Sequence, residues 1–216
     1  MKYEIKNNLP ILLEWKDKKN YSLIHEPNYT CCTYDLNDYG YRASHDYEPI
    51  LNQKNKIICV GCSFTFGTGL DEEQTWPYKL NKILGGEFMN LGYPGGSMRY
   101  ILWQLNNIKN KIPNKQIFVL IPPLGRSFKK NKSQFFCENH KLGLYQSYLE
   151  HYYLKLYCKI NNIVYLDYSH FGEPEISSIK LGIAKDGTHY GEEYQTAIAK
   201  QFVFEMIYNE HNCNIE

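Results

Sequence analysis

A serine near residue 60 and an aspartate–histidine pair near residue 190 have the residue types of a hydrolytic catalytic triad. Ser63 follows the apolar run Ile57–Val60, within the turn-forming segment Gly61-Cys62-Ser63-Phe64, which places its hydroxyl at the carboxyl end of a predicted strand, where α/β folds build their sites. Asp186 and His189 are three positions apart, a spacing that puts both side chains on one side of a turn. A serine nucleophile needs a histidine base, and that base needs an orienting carboxylate. The residues therefore predict acyl transfer, with Ser63 as nucleophile, His189 as general base and then acid, and Asp186 as the orienting group.

Each of these residues also has an ordinary structural explanation. Ser63 could cap the helix that follows it, and Asp186 could cap a helix that begins near Glu192, with His189 on the surface. His140, His151 and His170 have no comparable carboxylate partner in the sequence, so none of them is expected to be a catalytic base.

Three segments resemble conserved blocks of the SGNH (GDSL-like) hydrolases. The first is Gly61-Cys62-Ser63-Phe64 with Thr65, Gly67 and Gly69, followed by Trp76-Pro77; the second is Asn90–Ser97; the last is Asp186-x-x-His189. In the second block, Gly95 best matches the glycine whose backbone N–H contributes to the oxyanion hole. The resemblance implies a three-layer α/β/α sandwich with a parallel sheet in the flavodoxin-like order, an oxyanion hole that includes the Ser63 and Gly95 N–H groups, and no cofactor.

The third block of that family is missing. The family has Gly-x-Asn-Asp after the next strand, whereas here Ile117–Ile121 continues into Pro122-Pro123-Leu124-Gly125-Arg126. Arg126 could donate to the oxyanion hole in place of the asparagine, or hold an acidic group of the substrate. It could equally be a basic surface residue in a loop that also contains Lys129, Lys130 and Lys132.

Composition limits the classes of partner. The 216 residues include 24 basic and 23 acidic side chains, with a net charge of +1, so neither nucleic acid nor an anionic membrane is an expected partner. No signal-peptide core or membrane-length apolar run is present, and we expect a cytoplasmic protein.

No spacing typical of metal ligands occurs, so we expect no metal. The seven cysteines are expected to be reduced, and the strand position of Cys59 argues against a redox role for Cys59-Val60-Gly61-Cys62.

The chain divides at about residue 52. Residues 1–52 lack a clean period and are predicted to form an irregular extension or cap. Within it, Asn37-x-x-Gly40-Tyr41-Arg42 resembles a lead-in of some SGNH proteins, with a plain turn as the alternative. Residues 53–216 are predicted to form the catalytic domain, because strand and helix patterns alternate there.

That alternation predicts particular elements. The predicted strands are Ile57–Val60, Phe88–Leu91, Ile117–Ile121 and Ile163–Leu166. Apolar residues at helical spacing predict a helix from Trp76 to Leu84, a second after Ser97, a third with the stripe Leu149, Tyr152, Leu156 and Ile160, and a closing helix through Phe202.

The resemblance and the residues together favour an esterase that acts on a small acyl ester. An O-acetyl group on a carbohydrate is the specific expectation, since the family often removes such groups and the 20 tyrosines and three tryptophans offer surfaces for sugar rings. Two alternatives stay open: an acyltransferase that passes the acyl group to a sugar hydroxyl, and a non-catalytic carbohydrate-binding module on the same scaffold.

Overall fold

Buried apolar strands form the centre of the molecule. The computed structural model describes residues 3–6, 9–12, 16–18, 21–23, 32–52, 54–109, 112, 114–124, 141–167, 182, 184–185 and 189–212. Within them, the strands are β1 (Tyr3–Lys6), β2 (Leu9–Leu12), β3 (Tyr21–Leu23), β4 (Cys32–Tyr34), β5 (Lys56–Gly61), β6 (Glu87–Gly92), β7 (Lys115–Ile121) and β8 (Val164–Asp167). The α-helices are α1 (Glu48–Leu51), α2 (Ser63–Phe66), α3 (Trp76–Leu84), α4 (Met98–Ile108), α5 (Lys141–Ile160) and α6 (Glu192–Asn212).

The main sheet has the order β6-β5-β7-β8, and every neighbouring pair in it is parallel. All six residues of β5 are buried, as expected for a strand covered on both faces. This order is the flavodoxin-like one predicted from the resemblance, and the prediction is confirmed. Because parallel strands end at the same edge, the residues that follow β5, β6 and β7 lie along one side of the sheet.

Helices cover both faces of the sheet, so the predicted three-layer sandwich is also confirmed. Alternation along β5 sends Ile58 and Val60 into the core that includes residues of α4 and α5, and Ile57 and Cys59 into the core that includes residues of α3 and α6. The helix predicted after Ser97 is α4, and Ser97 caps it, since its hydroxyl accepts a hydrogen bond from the Tyr100 N–H at 3.3 Å. No described helix is long and apolar enough to cross a membrane.

The described part of residues 1–52 is more regular than the sequence suggested. It forms the antiparallel pairs β1–β2 and β3–β4 and the short helix α1. Tyr39, Tyr41 and Tyr47 are almost fully buried in the same core as α4, and the Leu12 N–H donates to the Tyr39 carbonyl at 2.8 Å. The extension therefore contributes side chains to the main core, while the division of the chain at residue 52 stays a prediction.

Helix α5 is present, but the apolar stripe that predicted it does not face the core. Leu149, Tyr152, Leu156 and Ile160 are 38% to 70% exposed. The buried side of α5 instead consists of Ser147, Glu150, Leu154 and Cys158. A polar residue can face inward here because the Glu150 carboxylate accepts hydrogen bonds from Arg99 at 2.6 Å and from Gln146 at 3.0 Å. The apolar periodicity predicted the helix correctly, but the side of the helix that carries the apolar stripe is exposed and not buried.

Candidate active site

Ser63 is the first residue of α2, a single helical turn that begins directly after β5. The N–H groups of Thr65 and Phe66 donate to the Cys62 carbonyl at 3.0 and 2.9 Å, and those of Gly67 and Thr68 donate to the Ser63 carbonyl at 2.9 and 3.1 Å. N–H groups in the first turn of a helix have no intrahelical acceptor. The Ser63 N–H is thus available to bind an oxyanion, and its side chain lies in a largely buried position, 5% exposed.

A glycine brings the first two predicted blocks into van der Waals contact. A Cβ at Gly92, in the second block, would lie 2.2 Å from the Phe66 backbone nitrogen. Within the first block, a Cβ at Gly61 would lie 2.0 Å from the Thr65 hydroxyl oxygen. Asn90 adds two hydrogen bonds, donating to the Thr65 carbonyl at 2.8 Å and accepting from the Gly92 N–H at 3.0 Å. The asparagine of the second block therefore fixes the distance between the end of β6 and α2.

Gly95 lies in a tight turn at the same edge of the sheet. The Gly96 N–H donates to the Tyr93 carbonyl at 2.8 Å, Pro94 occupies the second position of the turn, and Gly95 has a φ of 76° at the third. This is the pattern of a type II turn, in which glycine avoids the cost of a positive φ. The Tyr93 N–H also donates to the Gly61 carbonyl at 3.1 Å, so the turn that carries Gly95 is fastened to the end of β5.

His189 lies against the residue that follows the predicted nucleophile. Its ring centroid is 5.0 Å from that of Phe64, and the Tyr190 ring stacks on the same phenylalanine at 5.9 Å. The Ala184 N–H donates to the His189 carbonyl at 2.8 Å, and the Lys185 N–H donates to the Gly69 carbonyl at 2.9 Å. Lys185, directly before the Asp186 position, is therefore bonded to the loop after α2, and His189, after that position, packs on α2 itself.

Two predicted site residues, Asp186 and Arg126, lie outside the described residues. Their roles, like those of Ser63, His189 and Gly95, stay predictions. The structure brings Ser63, Gly95 and His189 to one region, because the turns and the loop that carry them are bonded to the end of β5 and to the segment after it.

Arg42 was not identified from the sequence as a residue that positions the site. Its side chain is buried, and its guanidinium donates to the carbonyls of Phe66 at 3.1 Å, Gly67 at 2.6 Å and Leu70 at 2.5 Å. The group also lies 4.6 Å from the ring centroid of Tyr34. Arginine suits this place because its planar group offers five donors in a fixed arrangement. Arg42 thus binds the carboxyl end of α2 and the loop after it.

The lead-in motif explains how Arg42 reaches that position. The Asn37 side-chain oxygen accepts hydrogen bonds from the Tyr39 N–H at 3.1 Å and the Tyr41 N–H at 3.0 Å, and Gly40 has a φ of 79°. The segment is therefore a turn, and the turn is followed at once by the arginine that holds α2. The turn that was one of the two interpretations is present, and the resemblance to a lead-in of SGNH proteins stays a prediction.

Gln195, on α6, is a second residue whose role sequence analysis missed. Its amide donates to the Phe64 carbonyl at 3.3 Å and accepts from the Trp76 N–H at 2.9 Å. The side chain is 1% exposed, and the bonds connect α6 to α2 and to the first residue of α3. The helix that follows His189 is thereby joined to the residue next to Ser63.

The expectation that His151 has no carboxylate partner is wrong. His151 Nε2 lies 2.8 Å from Asp167 Oδ2, and Lys155 Nζ lies 2.7 Å from the same oxygen. Asp167 ends β8 and is paired in register with Ile121 of β7. His151 and Asp167 belong to different elements and meet because α5 packs beside β8. Spacing along the sequence does not reveal this contact. This cluster lies on the edge strand, with β7 between it and β5.

The two cysteines beside the predicted nucleophile do not form a redox pair. Cys59 and Cys62 are free and fully buried, and burial raises the pKa of the Cys59 thiol well above its usual value. A redox cysteine needs the opposite shift and solvent access. These thiols therefore pack as small apolar groups.

Comparison with known proteins shows that this chain is similar in fold to solved structures. No protein-family model matches the sequence, and no curated protein matches it either. One solved structure superimposes with a TM-score of 0.50 at 16% identity, over 72% of this chain and 97% of that chain.

The matching structures also include named lipolytic and esterase proteins. A G-D-S-L family lipolytic protein from Veillonella parvula has 16% identity over 70% of this chain and 97% of its own, with a TM-score of 0.43. An acetyl xylan esterase from Geobacillus stearothermophilus has 12% identity over 70% and 94%, with a TM-score of 0.45. The predicted resemblance to SGNH hydrolases is confirmed as a similarity of fold, and at these identities the similarity concerns the fold alone.

Proposed function

We propose that this protein is an SGNH-type serine esterase that hydrolyses a small acyl ester through an acyl-enzyme on Ser63. The supporting observation is the meeting of three separate chain segments: Ser63 opens α2, the turn with Gly95 is bonded to Gly61, and His189 packs on Phe64. A nucleophile, a base and a second oxyanion donor are the parts that acyl transfer needs.

In the proposed reaction, Ser63 Oγ attacks the ester carbonyl carbon while His189 accepts the hydroxyl proton. The carbonyl oxygen becomes an oxyanion that accepts hydrogen bonds from the N–H groups of Ser63 and Gly95. Collapse of the tetrahedral intermediate breaks the carbon–oxygen bond of the ester, and His189 gives its proton to the leaving alcohol. Water then attacks the acyl-enzyme with His189 again as the base, releasing the acid and free Ser63. Asp186 orients the imidazole in both halves.

The oxyanion hole of this chain departs from the family at its third donor. The residues after β7 are Pro122 and Pro123, and proline has no backbone N–H. Neither a side-chain amide nor a main-chain donor is offered by these two positions. We assign the third donor to Arg126, and without such a donor turnover is expected to be slow.

A small acyl group agrees with the surroundings of Ser63. The residue is 5% exposed, and a small acyl group needs the least room beside a residue that is largely buried. An O-acetyl ester on a carbohydrate is the specific substrate we propose, on the strength of the family resemblance.

The test is a series of p-nitrophenyl esters from acetate to octanoate, with wild type, Ser63→Ala and the exposed-serine control Ser44→Ala. Activity should be highest with acetate, unchanged in Ser44→Ala, and reduced by about 10³- to 10⁶-fold in Ser63→Ala. Equal turnover by pure Ser63→Ala would refute the serine mechanism.

A fluorophosphonate probe separates the enzyme from a non-catalytic module. It should label wild type and Ser44→Ala but not Ser63→Ala. A folded wild-type protein that takes no label would favour a binding module, in line with the missing third block. If label and turnover are present, added acceptor sugars distinguish transfer from hydrolysis through the appearance of an acylated sugar.

A further inference from the structure

The side of α5 that faces away from the sheet carries a continuous set of large apolar and aromatic side chains. This set, the α5 outer face, comprises Tyr145, Tyr148, Leu149, Tyr152, Tyr153, Leu156 and Ile160. Each is at least 38% exposed, and Ile160 reaches 70%. Its members recur three and four positions apart, the spacing by which a helix normally packs on a partner. The opposite side of α5 already packs on the core through Leu154 and Cys158, so the face is additional to what the fold requires.

The order of residues on this face is nearly the same from either end of the helix. If a second copy of α5 is laid antiparallel against the first, with the two-fold axis between Tyr152 and Tyr153, side chains of matching character oppose each other. The pairs are Tyr145 with Ile160, Leu149 with Leu156, and Tyr152 with Tyr153. A two-fold interface requires such self-complementarity, because residue i must contact residue j while residue j contacts residue i.

The exposed area is sufficient for a dimer. A large aromatic side chain carries about 150–250 Å² of surface, so the exposed fractions of the seven residues, counted at that size, amount to about 570–950 Å². An interface of standard size buries ~800 Å² from each partner. The composition also fits, because four of the seven residues are tyrosines, which are enriched at interfaces, and none of the seven is charged.

We propose that two copies of this chain associate through the α5 outer face, with their α5 helices antiparallel across a two-fold axis. The proposal is independent of the esterase proposal, because it needs no turnover and is equally open to test in Ser63→Ala. The two candidate active sites would be outside the interface, since the face points away from the sheet.

Sedimentation velocity of the full chain over a range of concentrations tests association. Wild type should form a dimer with a dissociation constant below about 10 μM, in the range of standard-size interfaces. Leu149→Lys and Leu156→Glu should each raise that constant by at least about 30-fold, the loss expected at an interface hot spot. Phe204→Lys, at a 59% exposed aromatic residue of α6, is the matched control and should dimerise like wild type. Circular dichroism should show all three variants folded.

Charge pairing tests the antiparallel register. In that register the positive side chain introduced at position 149 of one copy lies opposite the negative side chain introduced at position 156 of the other. Mixing Leu149→Lys with Leu156→Glu should therefore restore dimers that neither variant forms alone. Within one helix the two positions are seven residues apart, and each variant carries only one of the two changes, so the introduced charges cannot pair as helical neighbours. Dimers restored by mixing the two variants therefore demonstrate a contact between positions 149 and 156 of different copies.

Several results would overturn the proposal. They are a wild-type monomer at about 100 μM, ten times the upper limit set by a standard-size interface, dimers that survive both single substitutions, and failure of the mixture to associate. Co-sedimentation of monomeric wild type with phosphatidylcholine vesicles, lost in Leu149→Lys, would overturn it in favour of a lipid surface.

Discussion

At the scale of single residues, the site depends on short contacts between neighbours in space rather than in sequence. The Phe64 ring packs against the ring of His189, and the Phe64 carbonyl accepts a hydrogen bond from the Gln195 amide. Phe64 therefore connects the predicted nucleophile, which it follows, to the predicted base and to α6. The order in which the catalytic groups contribute can be measured through substitutions that leave this packing in place.

His189→Ala should reduce kcat at least as much as Asp186→Asn does, because the histidine moves the proton while the aspartate orients it and stabilises its charged form. The histidine variant should lose about 10³-fold or more. Both are measured on p-nitrophenyl acetate at saturating concentration. Thr188→Ala is the local control. A fully active His189→Ala protein would contradict the assignment of the base.

Arg126→Ala distinguishes three roles for the residue that stands where the family has asparagine. If Arg126 donates to the oxyanion, kcat should fall by about 10²- to 10³-fold with little change in KM, as for the loss of one preorganised donor. If it holds an acidic substrate, KM should rise for esters with a carboxylate and stay the same for neutral esters. Lys129→Ala, in the same basic segment, is the control. Wild-type kinetics on every ester would leave Arg126 as a surface residue.

At the scale of elements, the single turn α2 is too short to be stable on its own. The neighbours that set its position include β5 before it, the end of β6 in contact through Gly92, and the Arg42 guanidinium at its carboxyl end. The arrangement places the predicted nucleophile on an element whose geometry is determined by its neighbours. Changing Arg42 should therefore affect both the stability of the fold and the reactivity of Ser63.

Arg42→Ala should lower the free energy of unfolding by about 2 kcal/mol or more, because the buried Phe66 and Leu70 carbonyls lose a donor at about 1–3 kcal/mol each, while the Gly67 carbonyl keeps the hydrogen bond from the Leu70 N–H. It should also slow fluorophosphonate labelling of Ser63 at temperatures where the variant is still folded. Arg42→Lys keeps the charge but not the planar set of donors, and should recover part of the stability and less of the labelling rate. Lys82→Ala, which removes an exposed charge on α3, is the control. Labelling as fast as wild type in folded Arg42→Ala would show that the arginine only stabilises the fold.

Most elements of the sheet and of the helices around it were predictable from local sequence. Apolar runs bounded by glycine or proline indicated β5, β6 and β7, and apolar residues at helical spacing indicated α3 and α4. The face of α5 was not predictable, since Ser147 and Glu150 point inward, and the Glu150 carboxylate is tolerated there because Arg99 of α4 donates to it. Of the site, Ser63, Gly95 and His189 could be proposed from motif spacing. Arg42, Gln195 and the His151–Asp167 pair could not, because their contacts join distant parts of the chain.

At the scale of the whole molecule, the first part of the chain shares the hydrophobic core of the main sheet. Tyr47 donates from its hydroxyl to the Asn90 carbonyl at 2.9 Å and accepts from the Asn90 N–H at 2.6 Å, although Asn90 belongs to the second predicted block. Ile11 and Leu12 are buried in the core shared with α4 and the sheet. The extension thus supports the same residues that hold the nucleophile turn.

A chain that begins at residue 53 should therefore fail to fold, although the sequence pattern places the catalytic domain there. Truncation removes the buried Tyr39, Tyr41 and Tyr47, and loss of a single buried aromatic residue already costs about 3–5 kcal/mol, against a typical total stability of about 5–15 kcal/mol. Cooperative unfolding in urea, followed by circular dichroism, is the measurement. A chain that lacks only residues 213–216 is the control. A sharp unfolding transition in the 53–216 chain would show that the extension is a separate unit.

The buried thiols of Cys59, Cys62 and Cys158 can be used to measure how readily the structure around them opens. Cys59 lies in β5, Cys62 immediately precedes Ser63, and Cys158 lies in α5, where burial raises the pKa of its thiol to about 12. A thiol-specific reagent reaches such groups only when the surrounding structure opens, so the rate of their modification measures the free energy of local opening, as amide hydrogen exchange does for the backbone. Cys62 would report on the turn that carries Ser63, and Cys158 on the helix across the sheet. Comparing the two rates would reveal whether the nucleophile is held by the most rigid part of the molecule or by one that opens on its own.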